Sequence, residues 1–166
     1  MNVSLIVCTY QRAEPLLKLL KSVAEQALYP DDIIIVDGSI DTKTQDALTL
    51  NNLANLRYIK VHDDKRGLTK QRNVGISMLK DSTQIACFLD DDIILKSNYF
   101  EVLLKTYDEH PQALGVGGYI VNDTPWTKVE ADYVPAIDEF YYDGYKRSDG
   151  SRFVLRKRLG LDADRP

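Results

Sequence analysis

Three consecutive carboxylates, Asp90, Asp91 and Asp92, follow directly on the apolar run 85–89 and are themselves followed by three apolar residues. Adjacent negative charges repel one another, and their burial against apolar neighbours is costly unless a cation or strong hydrogen-bond donors neutralise them. Carboxylate oxygens select hard ions such as Mg²⁺ or Mn²⁺, and Mg²⁺ commonly combines one or two carboxylates with phosphate oxygens of a ligand. The triplet therefore indicates a divalent-metal site, and its alternative role is an acidic loop in water.

Polar side chains also follow two other apolar runs, at points where strands would end. Thr9, Tyr10 and Arg12 supply a hydroxyl, an aromatic ring that suits a base and a guanidinium that suits phosphate. Asp37 ends the run 33–36 and precedes Gly-Ser, so it is either a ligand-binding carboxylate or a turn residue.

Arg72 belongs to the one basic concentration in this part of the chain, residues 65–73. Its spacing from Leu68 and Ile76 places it on the apolar face of a predicted helix. A guanidinium on that face favours an anion, which is either a bound ligand or one of the strand-end carboxylates.

Short apolar runs alternate with amphipathic segments between residues 3 and 121, and these elements must position the polar side chains. Runs rich in β-branched residues are typical of strands buried on both faces, and we predict strands at 3–8, 33–36, 56–61 and 85–89. A weaker, glycine-containing run predicts a last strand at 113–121.

Apolar residues at three- and four-residue spacing predict a helix after each of the first four strands. Thr42 and Gln45 form a predicted capping box for the second helix, and Ser97 is the predicted cap of the fourth. Strands alternating with helices indicate an α/β fold whose mostly parallel sheet carries helices on both faces. Ligands of such sheets bind outside the carboxyl ends of strands, so the polar residues above are expected at one edge.

The composition excludes several classes of protein. A length of 166 residues corresponds to about one domain, and a net charge of -4 with a pI near 5.2 argues against a general nucleic-acid binder. Cys8 and Cys87 lie within apolar runs and indicate buried thiols of a reducing compartment, so a cytoplasmic location is expected. No apolar stretch approaches the ~18 residues that span a bilayer.

Four segments together resemble the family 2 glycosyltransferases, inverting enzymes with the GT-A fold that use nucleotide sugars. They stand in the family's order at residues 3–12, 34–39, 67–76 and 88–92. The resemblance implies a single Rossmann-like GT-A domain and a nucleotide-sugar donor.

The resemblance also implies roles for individual residues. Thr9, Tyr10 and Arg12 would line the nucleotide base pocket, and Asp37 would hydrogen-bond the base, usually uracil. Arg72 would lie near the base or the phosphates.

The aspartate triplet resembles the family's Asp-x-Asp element. By this resemblance Asp90 or Asp91 contacts the ribose, while Asp92, with Asp90 as a second candidate, binds the Mg²⁺ or Mn²⁺ that bridges the diphosphate. The metal interpretation from the residues alone agrees with this one.

The chain departs from the family pattern after residue 121. We expect residues 1–121 to form the donor-binding domain, and residues 122–166 to be either the start of an acceptor-side region or an irregular tail, apparently truncated. Inverting transfer needs a general base, which the family often supplies from a Glu-Asp motif that is absent here. Seven acidic residues are candidates, and their spacing singles out none: Asp123, Glu130, Asp132, Asp138, Glu139, Asp143 and Asp149.

Three functions are compatible with these patterns. The first is transfer of a sugar from a nucleotide donor, UDP-linked by analogy, to a glycan or lipid-linked acceptor in glycan or cell-envelope synthesis. The second is a non-catalytic nucleotide-binding module or donor-binding half. The third, a nucleotidyltransferase, is disfavoured because Thr9-Tyr10-Gln11-Arg12 stands where a glycine-rich loop with a lysine is expected. The basic residues between 146 and 158 leave peripheral association with the inner face of a membrane open, and self-association is open too.

Overall fold

The computed structural model describes residues 1–51, 53–118, 120–121, 127–130, 132, 140–142 and 145–147. The chain divides into two units, Met1–Val116 and Gly117–Pro166. The predicted functional boundary at residue 121 stays a prediction.

A four-stranded, fully parallel sheet forms the centre of the first unit. Its strands are β1 (Val3–Thr9), β2 (Asp32–Asp37), β3 (Leu56–Lys60) and β4 (Ile85–Asp90), and their order in the sheet is β3-β2-β1-β4. The chain therefore moves outward from β1 to β3 and then crosses back to place β4 on the other side of β1. All four predicted strands are confirmed. Because the connections from β1 lead to β2 on one side and the chain later returns to place β4 on the other, the topological switch point lies between the carboxyl ends of β1 and β4.

Four helices connect or follow these strands, as the periodicity predicted. They are α1 (Ala13–Ala24), α2 (Lys43–Asn51), α3 (Leu68–Ser77) and α4 (Tyr99–Glu109), with a short 3-10 turn at Asp63–Lys65. In α1 the buried stripe is Leu16, Leu19, Leu20 and Val23.

The helices cover both faces of the sheet, which confirms the predicted fold class. On one face the buried side chains of α1, Leu48 of α2, and Phe100 and Leu103 of α4 pack against the sheet residues Val3, Leu5, Val7, Ile33 and Ile35. On the other face α3 approaches closely, because a Cβ added at Gly75 would lie 2.5 Å from Cγ2 of Ile6. Glycine at this position is what lets the helix backbone rest on the sheet.

Two predicted helix caps are wrong in detail. The N-cap of α4 is Asn98 rather than Ser97, and the backbone N–H of Tyr99 donates to Oε1 of Gln26, which follows α1, at 3.0 Å. The cap therefore comes from a distant side chain. At α2 the Thr42 hydroxyl donates to Asp46 at 2.9 Å, in place of the predicted capping box with Gln45.

The last predicted strand is also wrong over the residues that the structure describes. Residues 113–118 and 120–121 contain no strand. Glycines supply no side chain to pack on a pleated surface, and Leu114 near the start of the run is fully exposed.

The second unit contains a small antiparallel sheet, where the sequence predicted an irregular segment. Its strands are β5 (Thr127–Lys128), β6 (Phe140–Tyr142) and β7 (Tyr145–Arg147), in the order β5-β7-β6. Strands of two or three residues are too short to leave a period-two signal in the sequence.

Candidate functional site

The predicted site residues of β1 and β4 meet at the carboxyl edge of the sheet. The register pairs Cys8 with Asp90, so the residues that follow each strand emerge side by side. The Thr9 hydroxyl donates to Oδ2 of Asp91 at 2.7 Å, and both side chains are buried. This bond joins the two strand ends at the switch point.

The three aspartates have different surroundings. Asp91 is buried beneath the edge, whereas the side chains of Asp90 and Asp92 are 67% and 50% exposed. Arg12 forms ion pairs with Oδ1 of Asp91 at 3.2 Å and with Oδ2 of Asp92 at 2.9 Å. Asp90 pairs with Arg72 at 3.2 Å. The donors that the triplet requires are thus two guanidinium groups and one hydroxyl.

Electrostatics at the edge follow from burial and these pairs. Burial raises the pKa of Asp91, and the hydrogen bond from Thr9 and the charge of Arg12 oppose that rise. The hydrogen bond to Asp92, followed by the charge of Asp91, raises the pKa of Arg12 still further above its usual value. Arg12 therefore remains a full positive charge at every accessible pH.

A divalent ion fits the donor set of the exposed carboxylates. Among the described residues no three acidic, histidine or cysteine side chains are grouped so as to hold a metal by themselves. Asp90 and Asp92 nevertheless present oxygen atoms to solvent, and one or two such carboxylates plus ligand phosphate oxygens suffice for Mg²⁺.

Asp37 is a turn residue in the structure, which was the alternative to a ligand-binding carboxylate. It is fully buried; Oδ1 accepts from the N–H of Ser39 at 2.7 Å, and Oδ2 accepts from the Tyr58 hydroxyl at 2.7 Å, with Lys60 Nζ at 3.9 Å. Burial, and then the bond to Asp37, raises the pKa of Tyr58. The assignment of Asp37 to the nucleotide base stays a prediction.

Arg72 lies beside the aspartate triplet but not on the inward face of α3, where Gln71 and Gly75 are the buried residues, and its predicted contact with a nucleotide stays a prediction. Its side chain is 40% exposed, its Cζ lies 6.0 Å from the centre of the Phe88 ring, and it pairs with Asp90. The salt-bridge alternative is therefore the arrangement that the structure shows.

The inward polar residue of α3 is Gln71, which the sequence analysis missed. Its Nε2 donates to the carbonyl oxygens of Thr9 at 3.0 Å and Val36 at 2.8 Å, and Oε1 accepts from the N–H of Gly67 at 3.3 Å. The side chain is buried. One signal could have found it, since Gln71 stands four residues before Gly75 on the inward face.

The turn after β2 is held between two side chains of the α3 region. Arg66 Nε donates to the carbonyl of Gly38 at 2.6 Å, and a Cβ at Gly38 would lie 3.1 Å from Oε1 of Gln71. On the other side the N–H of Gln11 donates to Ser39 Oγ at 2.7 Å. Tyr10, which directly follows β1, is about half exposed to solvent.

The loop after the triplet is held by Ser22 of α1 and by Gln26, which follows that helix. Oγ of Ser22 accepts from the N–H of Leu95 at 3.0 Å, and Gln26 Nε2 donates to the carbonyl of Lys96 at 2.9 Å. Both Ser22 and Gln26 are buried. Two polar residues about seventy positions earlier in the chain, one in α1 and one just after it, therefore hold the loop that follows Asp92.

The predicted general base remains unassigned. Glu130 and Asp132 belong to the described residues and are exposed. The other five acidic candidates lie outside the described residues: Asp123, Asp138, Glu139, Asp143 and Asp149. Within the described part of the chain, no helix is both long and apolar enough to cross a membrane.

Comparison of the sequence with known proteins identifies similar proteins that are all named as glycosyltransferases. The chain is 30% identical over 149 residues to the glucosyl-dolichyl phosphate glucuronosyltransferase of Haloferax volcanii, a match that covers 86% of this chain and 44% of the relative. The chain thus spans less than half the length of this relative.

Solved structures share the fold at lower identity. S. aureus TarS 1-349 in complex with UDP-GlcNAc superposes with a TM-score of 0.57 at 22% identity, over 97% of this chain and 48% of that one. The 4-diphosphocytidyl-2C-methyl-D-erythritolsynthase from Anaerococcus prevotii superposes with a TM-score of 0.52 at 16% identity, over 99% and 78% of the two chains. These likenesses show a Rossmann-like GT-A fold.

The model of the family described as Glycosyl transferase family 2 matches residues 4–157, which include every strand end described above. The predicted resemblance is confirmed: this chain belongs to glycosyl transferase family 2.

Proposed function

We propose that this chain is the donor-binding part of an inverting glycosyltransferase, which transfers a sugar from a UDP-linked donor to an acceptor hydroxyl of a glycan or lipid-linked glycan. The observation that carries the proposal is the convergence of Thr9, Arg12, Arg72 and the aspartate triplet at the switch point of a family 2 sheet. The choice of uracil is supported by the UDP-GlcNAc that TarS binds on the same fold.

Each side chain has a distinct part in donor binding. Tyr10, exposed at the end of β1, stacks on the base, and the guanidinium groups of Arg12 and Arg72 pair with the diphosphate. Asp37 serves the base pocket by holding the Gly38–Ser39 turn through its buried bonds. Thr9 and Asp91 brace the two strand ends from below.

Asp92, with Asp90 as its neighbour, holds the divalent ion in this proposal. When bound, Mg²⁺ or Mn²⁺ screens the diphosphate and stabilises the departing nucleotide. The chain's own contribution is to keep both carboxylates at the edge, through the pairing of β4 and through Ser22 and Gln26, which anchor the following loop.

Transfer also needs a carboxylate to accept the proton of the acceptor hydroxyl. We assign that role to no described residue. A donor-binding half that needs further chain to act on an acceptor is therefore the second candidate, and the observation that favours it is the coverage of less than half of the glucuronosyltransferase.

A nucleotidyltransferase is disfavoured by the loop between β1 and α1. Thr9 to Arg12 form a short turn in which Gln11 has a φ of 53°, and neither glycine nor lysine occurs there. Pyrophosphate release from a nucleoside triphosphate would support this alternative.

Calorimetric titration of UDP tests the proposal. We expect binding in Mn²⁺ that disappears in excess EDTA and in Asp92→Ala. Asp108→Ala, which removes an exposed carboxylate from α4, is the matched control and should bind as the parent does. Absence of heat with UDP, GDP and dTDP alike would refute donor binding.

A further inference from the structure

Arg12 is the most heavily engaged cation at the aspartate triplet. It pairs with two carboxylates, Asp91 at 3.2 Å and Asp92 at 2.9 Å, whereas Arg72 pairs only with Asp90. Three carboxylates therefore face two guanidinium groups, and one negative charge is left uncompensated. The ligand-free site is close to electrically satisfied without any metal ion.

A divalent ion that binds Asp92 would compete with Arg12 for the same carboxylate. The guanidinium of Arg12 cannot be neutralised by loss of a proton, so its repulsion of a second cation ends only when the side chain moves or an anion joins it. Arg12 can change partner by rotation of its side chain, which is 47% exposed and starts from the N-cap position of α1. Arg72 is less free, since it also lies against the Phe88 ring.

We propose that Arg12 is a resident counter-cation of the metal site. It holds Asp91 and Asp92 in the ligand-free protein and pairs with the diphosphate when the nucleotide binds, which releases Asp92 to the divalent ion. This inference rests on the proposed donor site and adds to it an energetic coupling between metal and nucleotide that passes through one side chain.

The chemistry of the three partners favours this exchange. Guanidinium groups bind phosphate oxygens in a bidentate fork as readily as they bind carboxylates, so Arg12 keeps its hydrogen bonds when it changes partner. The released carboxylate is a hard oxygen donor of the kind that Mg²⁺ and Mn²⁺ prefer. Arg12 and Asp92 therefore each have a partner of opposite charge both before and after the exchange.

The first test measures Mn²⁺ alone, without nucleotide, by the electron paramagnetic resonance signal of the free ion. Arg12→Gln should bind Mn²⁺ roughly 3- to 10-fold more tightly than the parent, because an ion pair of the exposed kind no longer competes. Lys18→Gln is the matched control: it removes the same charge from the exposed side of α1, where Lys18 pairs with Glu14. We expect it to change Mn²⁺ affinity by less than about twofold.

The second test adds UDP. In the parent, saturating UDP should raise Mn²⁺ affinity, and by linkage Mn²⁺ should raise UDP affinity by the same factor. In Arg12→Gln this factor should be smaller than in the parent, because only the direct attraction between the ion and the diphosphate remains, and UDP binding itself should weaken. Arg12→Lys keeps the positive charge but loses the bidentate guanidinium group, and it should leave Mn²⁺ affinity near that of the parent. Thermal unfolding checks that each variant is folded.

The outcomes separate the two proposals. If the parent binds UDP with Mn²⁺ but Arg12→Gln binds Mn²⁺ alone no more tightly than Lys18→Gln, the counter-cation role is overturned and the donor site stands. An undiminished coupling factor in Arg12→Gln overturns it equally. If the parent binds no UDP, the donor site fails and this inference fails with it.

Discussion

Asp37 and Tyr58 show how much of the carboxyl edge depends on single buried hydrogen bonds. The fully buried carboxylate accepts from the Tyr58 hydroxyl and from the backbone of Ser39. A buried charge that loses one of its donors carries the desolvation cost of that oxygen without compensation. The turn that approaches the proposed base pocket should therefore be sensitive to a change on β3, a strand that contributes no side chain to the triplet.

Tyr58→Phe tests this dependence. We expect a loss of about 1–3 kcal/mol in the free energy of unfolding, measured by urea denaturation, because the donor to Asp37 is gone. Tyr10→Phe, whose side chain is about half exposed, is the control and should cost less than about 0.5 kcal/mol.

The same pair gives a pH dependence. The pKa of Tyr58 is raised in the folded chain, so the unfolded chain loses its phenolic proton first and stability falls as the pH rises above 10.0, the ordinary tyrosine value. Tyr58→Phe should lose part of that alkaline slope, and an unchanged slope would contradict the role given to this hydroxyl.

At the scale of elements, the sequence predicted which segments form strands and helices and left their arrangement undetermined. Periodicity is local, so β1 to β4 and α1 to α4 could be recognised from their own residues. The order β3-β2-β1-β4 arises from pairing between distant segments, and so does the cap that Gln26 provides for α4. The site residues could be predicted because parallel strands end at a common edge, but their pairing, Arg12 with Asp91 and Asp92, could not.

The contact between α3 and the sheet gives a prediction at this scale. Gly75→Ala should lower the free energy of unfolding by about 1–3 kcal/mol, because the new methyl group would lie 2.5 Å from Ile6 Cγ2 and force the helix outward. The gain in helix propensity from alanine, about 1 kcal/mol, offsets only part of this cost.

Gly115→Ala is the control for Gly75→Ala. Nothing lies within 4 Å of a Cβ at Gly115, so we expect a change of less than about 0.5 kcal/mol in the same denaturation experiment. Equal effects of the two substitutions would show that α3 does not need the close approach.

At the scale of the whole molecule, the core of the first unit joins residues of β1, β2 and β4, which are far apart in sequence. Burial raises the pKa of Cys8 on β1 and of Cys87 on β4 to about 11 each. A thiol with such a pKa is almost entirely protonated at neutral pH, and the thiolate is the reactive form. Cys87 is buried as predicted, whereas Cys8 is only partly buried, so Cys87 is the better reporter of the opening of the sheet.

Alkylation by iodoacetamide at pH 8 should consequently be slow in the native protein and fast in urea. We expect both cysteines to react on the timescale of unfolding, measured by mass spectrometry of quenched samples. Rapid native labelling of Cys87 would contradict its burial in the core.

The bond from Thr9 to Asp91 joins residues 82 positions apart. During synthesis from the ribosome, β1, β2 and β3 emerge and pair first, while the side of β1 that will receive β4 stays bare. A nascent chain of this length therefore exposes an unpaired strand edge of apolar residues, a feature that invites association with other chains. The edge that carries Thr9 and Asp91 is completed only when β4 pairs with β1, and the same pairing covers the exposed edge of β1.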